Sequence, residues 1–145
     1  MEYRKYLRTG FATPSGKIEL FSHALADRGH PWLPPVPQYI EGWEGPHHPR
    51  AGHYPLLLVT THSRKRVHST FDNVPWLREL EPHTIWLNSA DARQRGLRDG
   101  DLVAVFNDIG RMLIPARVTE RVMPGVGSIY QGAWYQPDEG GVDRG

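Results

Sequence analysis

A small, mainly β fold, a closed or nearly closed barrel with a few short helical connections, is the class this sequence predicts, on three observations. Proline and glycine together make up 28 of the 145 residues, about 19% against a usual ~12%. That excess disfavours a helical bundle and favours short elements joined by turns. The apolar runs are brief: the longest aliphatic one, Leu56-Leu57-Leu58-Val59, is far below the ~20 residues that span a bilayer. Finally, five or six such runs recur between turn residues along the chain, as in small barrels. The length fits one domain able to bury roughly two-thirds of its unfolded surface.

The elements follow in order. Lys17-Ile18-Glu19-Leu20-Phe21 alternates like a half-buried strand, although Ile18, Phe21 and Leu25 would also suit one helical face. Ser22 is placed to cap a short helix through Ala24, Leu25 and Ala26, stopped by Gly29. Seven of the 13 prolines fall in residues 31–55, and residues 31–54 read as an extended connector. Trp32, Tyr39, Ile40, Trp43 and Tyr54 give that connector apolar side chains with which to dock. Residues 55–60 form a continuous apolar run, the mark of a strand covered on both faces, and residues 84–88 form another. Asn88 or Ser89 then caps one or two helical turns, with Asp91 near the positive end and Gly96 as the stop. Residues 102–107 and 112–118 flank Asp108-Ile109-Gly110 as a hairpin, in which Pro115 lacks a donor and implies an edge or a bulge. Residues 126–130 make a last strand. The chain thus divides into a lead-in over 1–30, a Pro/Gly-rich connector over 31–54 and a barrel over 55–145.

Composition removes several functions. With no cysteine, the chain can hold no disulfide scaffold, zinc ribbon, cysteine nucleophile or iron–sulfur cluster of its own. Met1-Glu2-Tyr3-Arg4-Lys5 leads into no apolar core and so reads as no signal peptide. A net charge of +1 argues against general polyanion binding, so any anion site must be local.

The charge is unevenly spread. Residues 45–71 contain no Asp or Glu, yet hold Arg50, Arg64, Lys65, Arg66 and five of the eight histidines. The centre of this stretch, residues 60–70, directly follows the first apolar strand, and loops leaving rigid strand ends commonly carry binding sites. Its hydroxyls, guanidinium groups and imidazoles are donors suited to phosphate oxygens. The plainer reading is a solvated basic loop. His62 and His68, like His47, His48 and His53, match no zinc spacing. Ser63, Ser69 and Ser128 lack a nucleophile-elbow context, and Asp72 near His68 is an arrangement chance often supplies. Asp99/Asp101 and Asp138/Glu139 read as turn carboxylates, and Asn88, Asn107 and Asp108 as caps and turn residues. In Gln131-Gly132-Ala133-Trp134-Tyr135 the glycine permits close backbone approach to a flat ligand; Gln131 is the polar candidate, and the aromatics read as core or rim. From residues alone, a stand-alone nucleic-acid or phospholigand-binding barrel using Arg64, Lys65 and Arg66, and a bare interaction domain, both stay open.

Five collinear phrases carry a family resemblance: residues 11–22 (FATPSGKIELFS), 66–73 (RVHSTFDN), 85–92 (IWLNSADA), 96–110 (GLRDGDLVAVFNDIG) and 116–135, from ARVT through MPGV to GAWY. Over residues 11–145 the chain resembles the C-terminal molybdopterin dinucleotide-binding domain of the dimethyl sulfoxide reductase family of molybdopterin oxidoreductases. Its similarity is greatest to the anaerobic dimethyl sulfoxide reductase catalytic subunits.

The resemblance implies a double-psi β-barrel that contacts the bis form of molybdopterin guanine dinucleotide holding molybdenum or tungsten. Carried over by position, the cofactor-binding residues are Thr60, Thr61, His62, Arg64, Arg66, His68 and Ser69, with Gln131 and Gly132 at a pterin edge. Arg64 and Arg66 are expected to grip the pyrophosphate. The implied parent is a prokaryotic reductase of an S-oxide, N-oxide or similar substrate, at the periplasmic or cytoplasmic face of a membrane. Its iron–sulfur cluster and metal-ligating residue lie upstream, so the isolated chain is expected to be inactive. A final segment is expected beyond residues 142–145. The implied partners are the remaining domains of that subunit, with an iron–sulfur electron-transfer subunit and a membrane anchor subunit, but no nucleic acid and no direct membrane contact.

Overall fold

The computed structural model describes residues 5–145; the reading of the first four residues as no signal peptide, and the start of the 1–30 lead-in, lie outside it. Two compact units, Met1–Glu41 and Gly42–Gly145, make up the chain. The connector expected over 31–54 is therefore divided between them.

In the first unit, α1 (Lys5–Thr9) and α2 (His23–Arg28) are short, and no described residue is buried. Ser22 accepts from the Leu25 amide and Gly29 takes φ +57° beyond the helix, so the start and stop signals of α2 act as expected. The strand expected over residues 17–21 is not formed. Residues 17–21 are irregular and follow a tight turn, in which the Gly16 amide donates to Thr13 O at 3.0 Å and the Phe11 amide to Gly16 O at 2.9 Å. Alternation alone makes no strand where no neighbouring strand supplies a ladder.

In the second unit the segment before the sheet is ordered by Tyr54. Its hydroxyl donates to Asp108 at 2.5 Å and its ring meets Phe106 edge-on. The other aromatic and aliphatic candidates for docking, Trp32, Tyr39, Ile40 and Trp43, are exposed. Five strands follow: β1 (Leu57–Thr61), β2 (Ile85–Leu87), β3 (Leu102–Phe106), β4 (Arg111–Val118) and β5 (Val126–Tyr130). They form one mixed sheet in the order β1-β5-β2-β4-β3. β1 runs parallel to β5 and β2 parallel to β4, while β2–β5 and β3–β4 are antiparallel. The protein is therefore mainly β with a few short helices.

The core is a single cluster of Ile85, Leu87, Val103, Ile114, Ala116 and Ile129. The run expected to be covered on both faces is not: every residue of β1 is exposed, Leu58 at 44%. β1 is an edge strand, and both it and β3, the opposite edge, line an apolar cavity of about 930 Å³. Pro115 also departs from expectation, since it sits neither on an edge strand nor at a bulge. It is the last β4 residue paired with β3, opposite Leu102, and pairing with β2 begins at Ala116. The missing donor falls where the strand changes partner.

Two further helices lie in the connections between strands. α3 (Pro75–Leu80) starts with proline in its first turn, where no amide is needed. In α4 (Ser89–Gln94) the Asn88 side chain accepts from the Ala90 amide. Beyond it Gly96 has φ +66°, and the Gly96 and Leu97 amides close the last turn on Arg93 O and Ala92 O. Asn107 accepts from the amides of Ile109 and Gly110 in the β3–β4 turn.

Candidate functional site

Parallel neighbours end on the same side of a sheet. Thr61 pairs with Tyr130 at the ends of β1 and β5, so the loops leaving these two strands start side by side. The Gln131 amide continues the ladder to Thr61 O at 2.9 Å. Seven of the nine residues expected to bind cofactor meet here: Thr61, His62, Arg66, His68, Ser69, Gln131 and Gly132.

Their geometry is specific. The Gln131 carboxamide nitrogen lies 2.8 Å from His62 Nδ1 and 3.2 Å from His68 Nδ1, and the two imidazoles meet edge-on with centroids 5.4 Å apart. One NH2 group carries two protons, enough to serve both ring nitrogens. His68 and Ser69 form the tip of a tight turn between Val67 and Thr70, with His68 at φ +52°. Gly132, at φ +87°, packs its α-carbon against the His68 carbonyl so closely that a Cβ would overlap it. Trp134 Nε1 donates to Ser69 O at 2.8 Å, a rim contact. The Thr61 and Ser128 hydroxyls lie 3.3 Å apart, and Thr60 turns to the apolar cavity, away from the histidine pair.

The two arginines expected to act together have different surroundings. Arg64 is exposed and pairs with no carboxylate among the described residues. The Arg66 side chain is 8% exposed, and its head is paired with the buried Asp72. Its second nitrogen approaches Gln131 O at 3.3 Å and His83 Nδ1 at 3.4 Å, and its Nε is buried without a partner. That guanidinium is thus engaged by an internal carboxylate, unlike the exposed head of Arg64.

Asp72, weighed in the sequence only as a chance neighbour of His68, sits instead at the centre of this junction. It is 1% exposed and also accepts from the Trp134 amide at 2.8 Å and from Arg78 at 3.3 Å. Burial pushes its carboxyl up, but the Trp134 amide, Arg66 and Arg78 outweigh that and hold it below the usual carboxylate range. His83 is displaced downward, by burial first and by the Arg66 charge second, against the opposing pull of Asp72 and Asp143. The available signal was that Asp72 is the first acid after the acid-free stretch of residues 45–71. Ser63, one of the serines weighed as a nucleophile, donates to Glu81 and accepts from the amides of Lys65 and Arg66, which is loop-bracing chemistry. No group of three or more metal-ligating side chains occurs among the described residues.

Residues 56–144 match the family model described as Molydopterin dinucleotide binding domain. The chain belongs to that family. It is 45% identical over 140 residues to dimethyl sulfoxide reductase DmsA of Escherichia coli K12, covering 92% of this chain and 17% of that protein. It is 40% identical over 146 residues to the dimethyl sulfoxide/trimethylamine N-oxide reductase of Cereibacter sphaeroides, covering 91% and 17%. Among solved structures, acetylene hydratase from Pelobacter acetylenicus superposes with a TM-score of 0.69 at 29% identity, covering 92% of this chain and 18% of that one. The chain thus spans less than a fifth of the length of these relatives.

The site's chemistry fits the ligand of the family. The two loops offer imidazoles, hydroxyls, a free guanidinium and backbone amides, with no exposed carboxylate from His62 to Thr70 to repel an anion. The glycine at 132 brings backbone to backbone where a side chain would fill the cradle.

Proposed function

We propose that the loops after β1 and β5 form one wall of the site for molybdopterin guanine dinucleotide. Arg64 supplies the charge to the pyrophosphate; His62, His68, Ser69, Gln131 and Gly132 supply hydrogen bonds and shape. Thr60 and Thr61 set the base of the loop, and Arg66 holds it from behind. The observation that carries this reading is the Gln131 carboxamide shared between His62 and His68, joining residues 63 or more apart in sequence at the ends of two parallel strands. When bound, the cofactor supplies redox chemistry at its metal and dithiolenes, and the protein contributes binding and orientation.

The same reading makes the five-stranded sheet part of a double-psi β-barrel, as the likeness to acetylene hydratase supports. It makes the chain part of a molybdenum or tungsten oxidoreductase that reduces S-oxides or N-oxides, in line with the names of the relatives. The metal's protein ligand, an iron–sulfur cluster and the contacts to electron-transfer and anchor subunits then belong to other parts of that enzyme.

Titration of the 15N-labelled chain with GDP tests the reading. Amide shifts concentrated in residues 61–69 and 131–133 are expected. Salt-sensitive binding of a single-stranded oligonucleotide, with no response to GDP, would overturn it in favour of a nucleic-acid-binding barrel.

A further inference from the structure

We propose that Asp72 is the positioning residue of this cradle: its buried carboxylate, acting with Arg66, fixes the loop after β5 against the loop after β1. The inference rests on the reading of these loops as a nucleotide site and names what sets their spacing.

One carboxylate joins three segments. Oδ1 faces Arg66 of the first loop, while Oδ2 takes the Trp134 amide of the second loop at 2.8 Å and Arg78 of α3 at 3.3 Å. Through its other nitrogen Arg66 reaches the Gln131 carbonyl at 3.3 Å. The Arg66–Asp72 pair therefore pins the second loop at Gln131 and at Trp134, on both sides of Gly132. Between these pins the Gly132 backbone is pressed on the His68 carbonyl. Outside them, the Gln131 side chain meets His62 and His68. The expected ligand residues of the second loop, Gln131 and Gly132, thus lie at or between two bonds that end on this ion pair.

A buried pair of this kind adds little stability compared with well-packed apolar side chains, since desolvation offsets attraction. Hydrogen bonds differ from apolar contacts in being directional, and here they end on the backbone of Gln131 and Trp134. Charge placement agrees. Asp72 pairs with two of the local guanidinium groups, while Arg64 and Lys65, both exposed, have no carboxylate partner among the described residues.

The test compares Asp72→Asn with Ile114→Val, a core substitution outside the cradle, in the full chain, with GDP as probe. Asn keeps the shape of Asp but turns an NH2 group toward donors. Asp72→Asn is expected to weaken GDP binding about tenfold, to displace the amide resonances of Gln131 to Trp134 and His68, and to speed exchange of the Trp134 amide. Ile114→Val, compared at equal fraction folded, is expected to bind GDP like the parent. Unchanged 131–134 resonances in Asp72→Asn, or an equal loss of affinity in Ile114→Val, would overturn the assignment. If Asp72→Asn does not fold, Arg66→Lys serves: it keeps the charge and loses the second arm, so the Gln131 resonance should move most, and an unmoved Gln131 overturns the proposal. A parent chain that ignores GDP while Asp72→Asn still displaces residues 131–134 would defeat the nucleotide reading and leave Asp72's hold on the loop intact.

Discussion

Gly132 and His68 touch backbone to backbone: the α-carbon of one rests on the carbonyl of the other, with no room for a methyl group between them. Two loops that begin 69 residues apart, after strands registered at Leu57 and Val126, are thereby in van der Waals contact at the site. A side chain at 132 would meet main chain, which cannot swing aside as a flexible side chain can.

Gly132→Ala is therefore expected to be among the most damaging small substitutions in the second unit. Overlap with the His68 carbonyl and the left-handed backbone at φ +87° act together, for a loss of about 3 kcal/mol or more. Thermal unfolding measures the loss, and amide exchange should localise the loosening to residues 66–70 and 131–134.

Arg64 and Arg66 should separate cleanly. Arg64→Gln is expected to lower GDP affinity roughly tenfold with Tm unchanged, because its head is exposed and pairs with no carboxylate among the described residues. Arg66→Gln is expected to lower Tm, because it abandons the buried Asp72 carboxylate. Titration and thermal unfolding of both variants check this; an Arg66→Gln protein with parental Tm would contradict the architectural place given to Arg66.

Acidification should destabilise the protein in two steps. The His83 ring is held below its ordinary value, by burial first, so the unfolded chain binds a proton that the folded chain refuses. Stability is then whole above the ordinary histidine range and falls as pH drops through about 6.5. Asp72 is also held low in the folded protein, the Trp134 amide and the two arginines outweighing burial. Its contribution is present above about pH 5 and is lost as pH falls below about 4. Denaturant midpoints between pH 8 and pH 3 should show both steps, and His83→Gln should erase the upper one alone.

Asn88 carries a load beyond capping. Its side chain accepts from Ala90 and donates to Val122 O at 2.8 Å and to Glu120 at 3.2 Å, while the residue is 5% exposed. Asn88→Ala should cost about 2 kcal/mol, a Tm reduction of roughly 4–8 °C for a chain of this size. Calorimetry checks it, with Ser89→Ala as the mild comparison.

Local chemistry was readable where a residue acts on its neighbours. Ser22, Asn88 and Asn107 cap or turn as their types demand, and Gly29 and Gly96 stop helices by taking positive φ. The dense run of donors that makes the loop after the first apolar strand a candidate site was legible for a similar reason, since it follows that strand directly in sequence. What could not be read depends on partners far away in sequence. Residues 17–21 alternate like a strand but find no ladder; β1 looks like an interior strand but lies at an edge. α3 escaped notice because six residues opening on Pro75 carry too few turns to show a period. Arg66 reads like Arg64 in a basic run, and only the folded position of Asp72 gives them different surroundings.

The parallel pairing of β1 with β5 has a consequence for how the protein is made. Contacts this distant along the chain carry a large loop-closure cost and form late in folding. During synthesis the first loop leaves the ribosome long before Gln131 and Trp134 exist to meet it. A surface that needs both loops can therefore assemble only after translation has passed β5 and the residues that follow it.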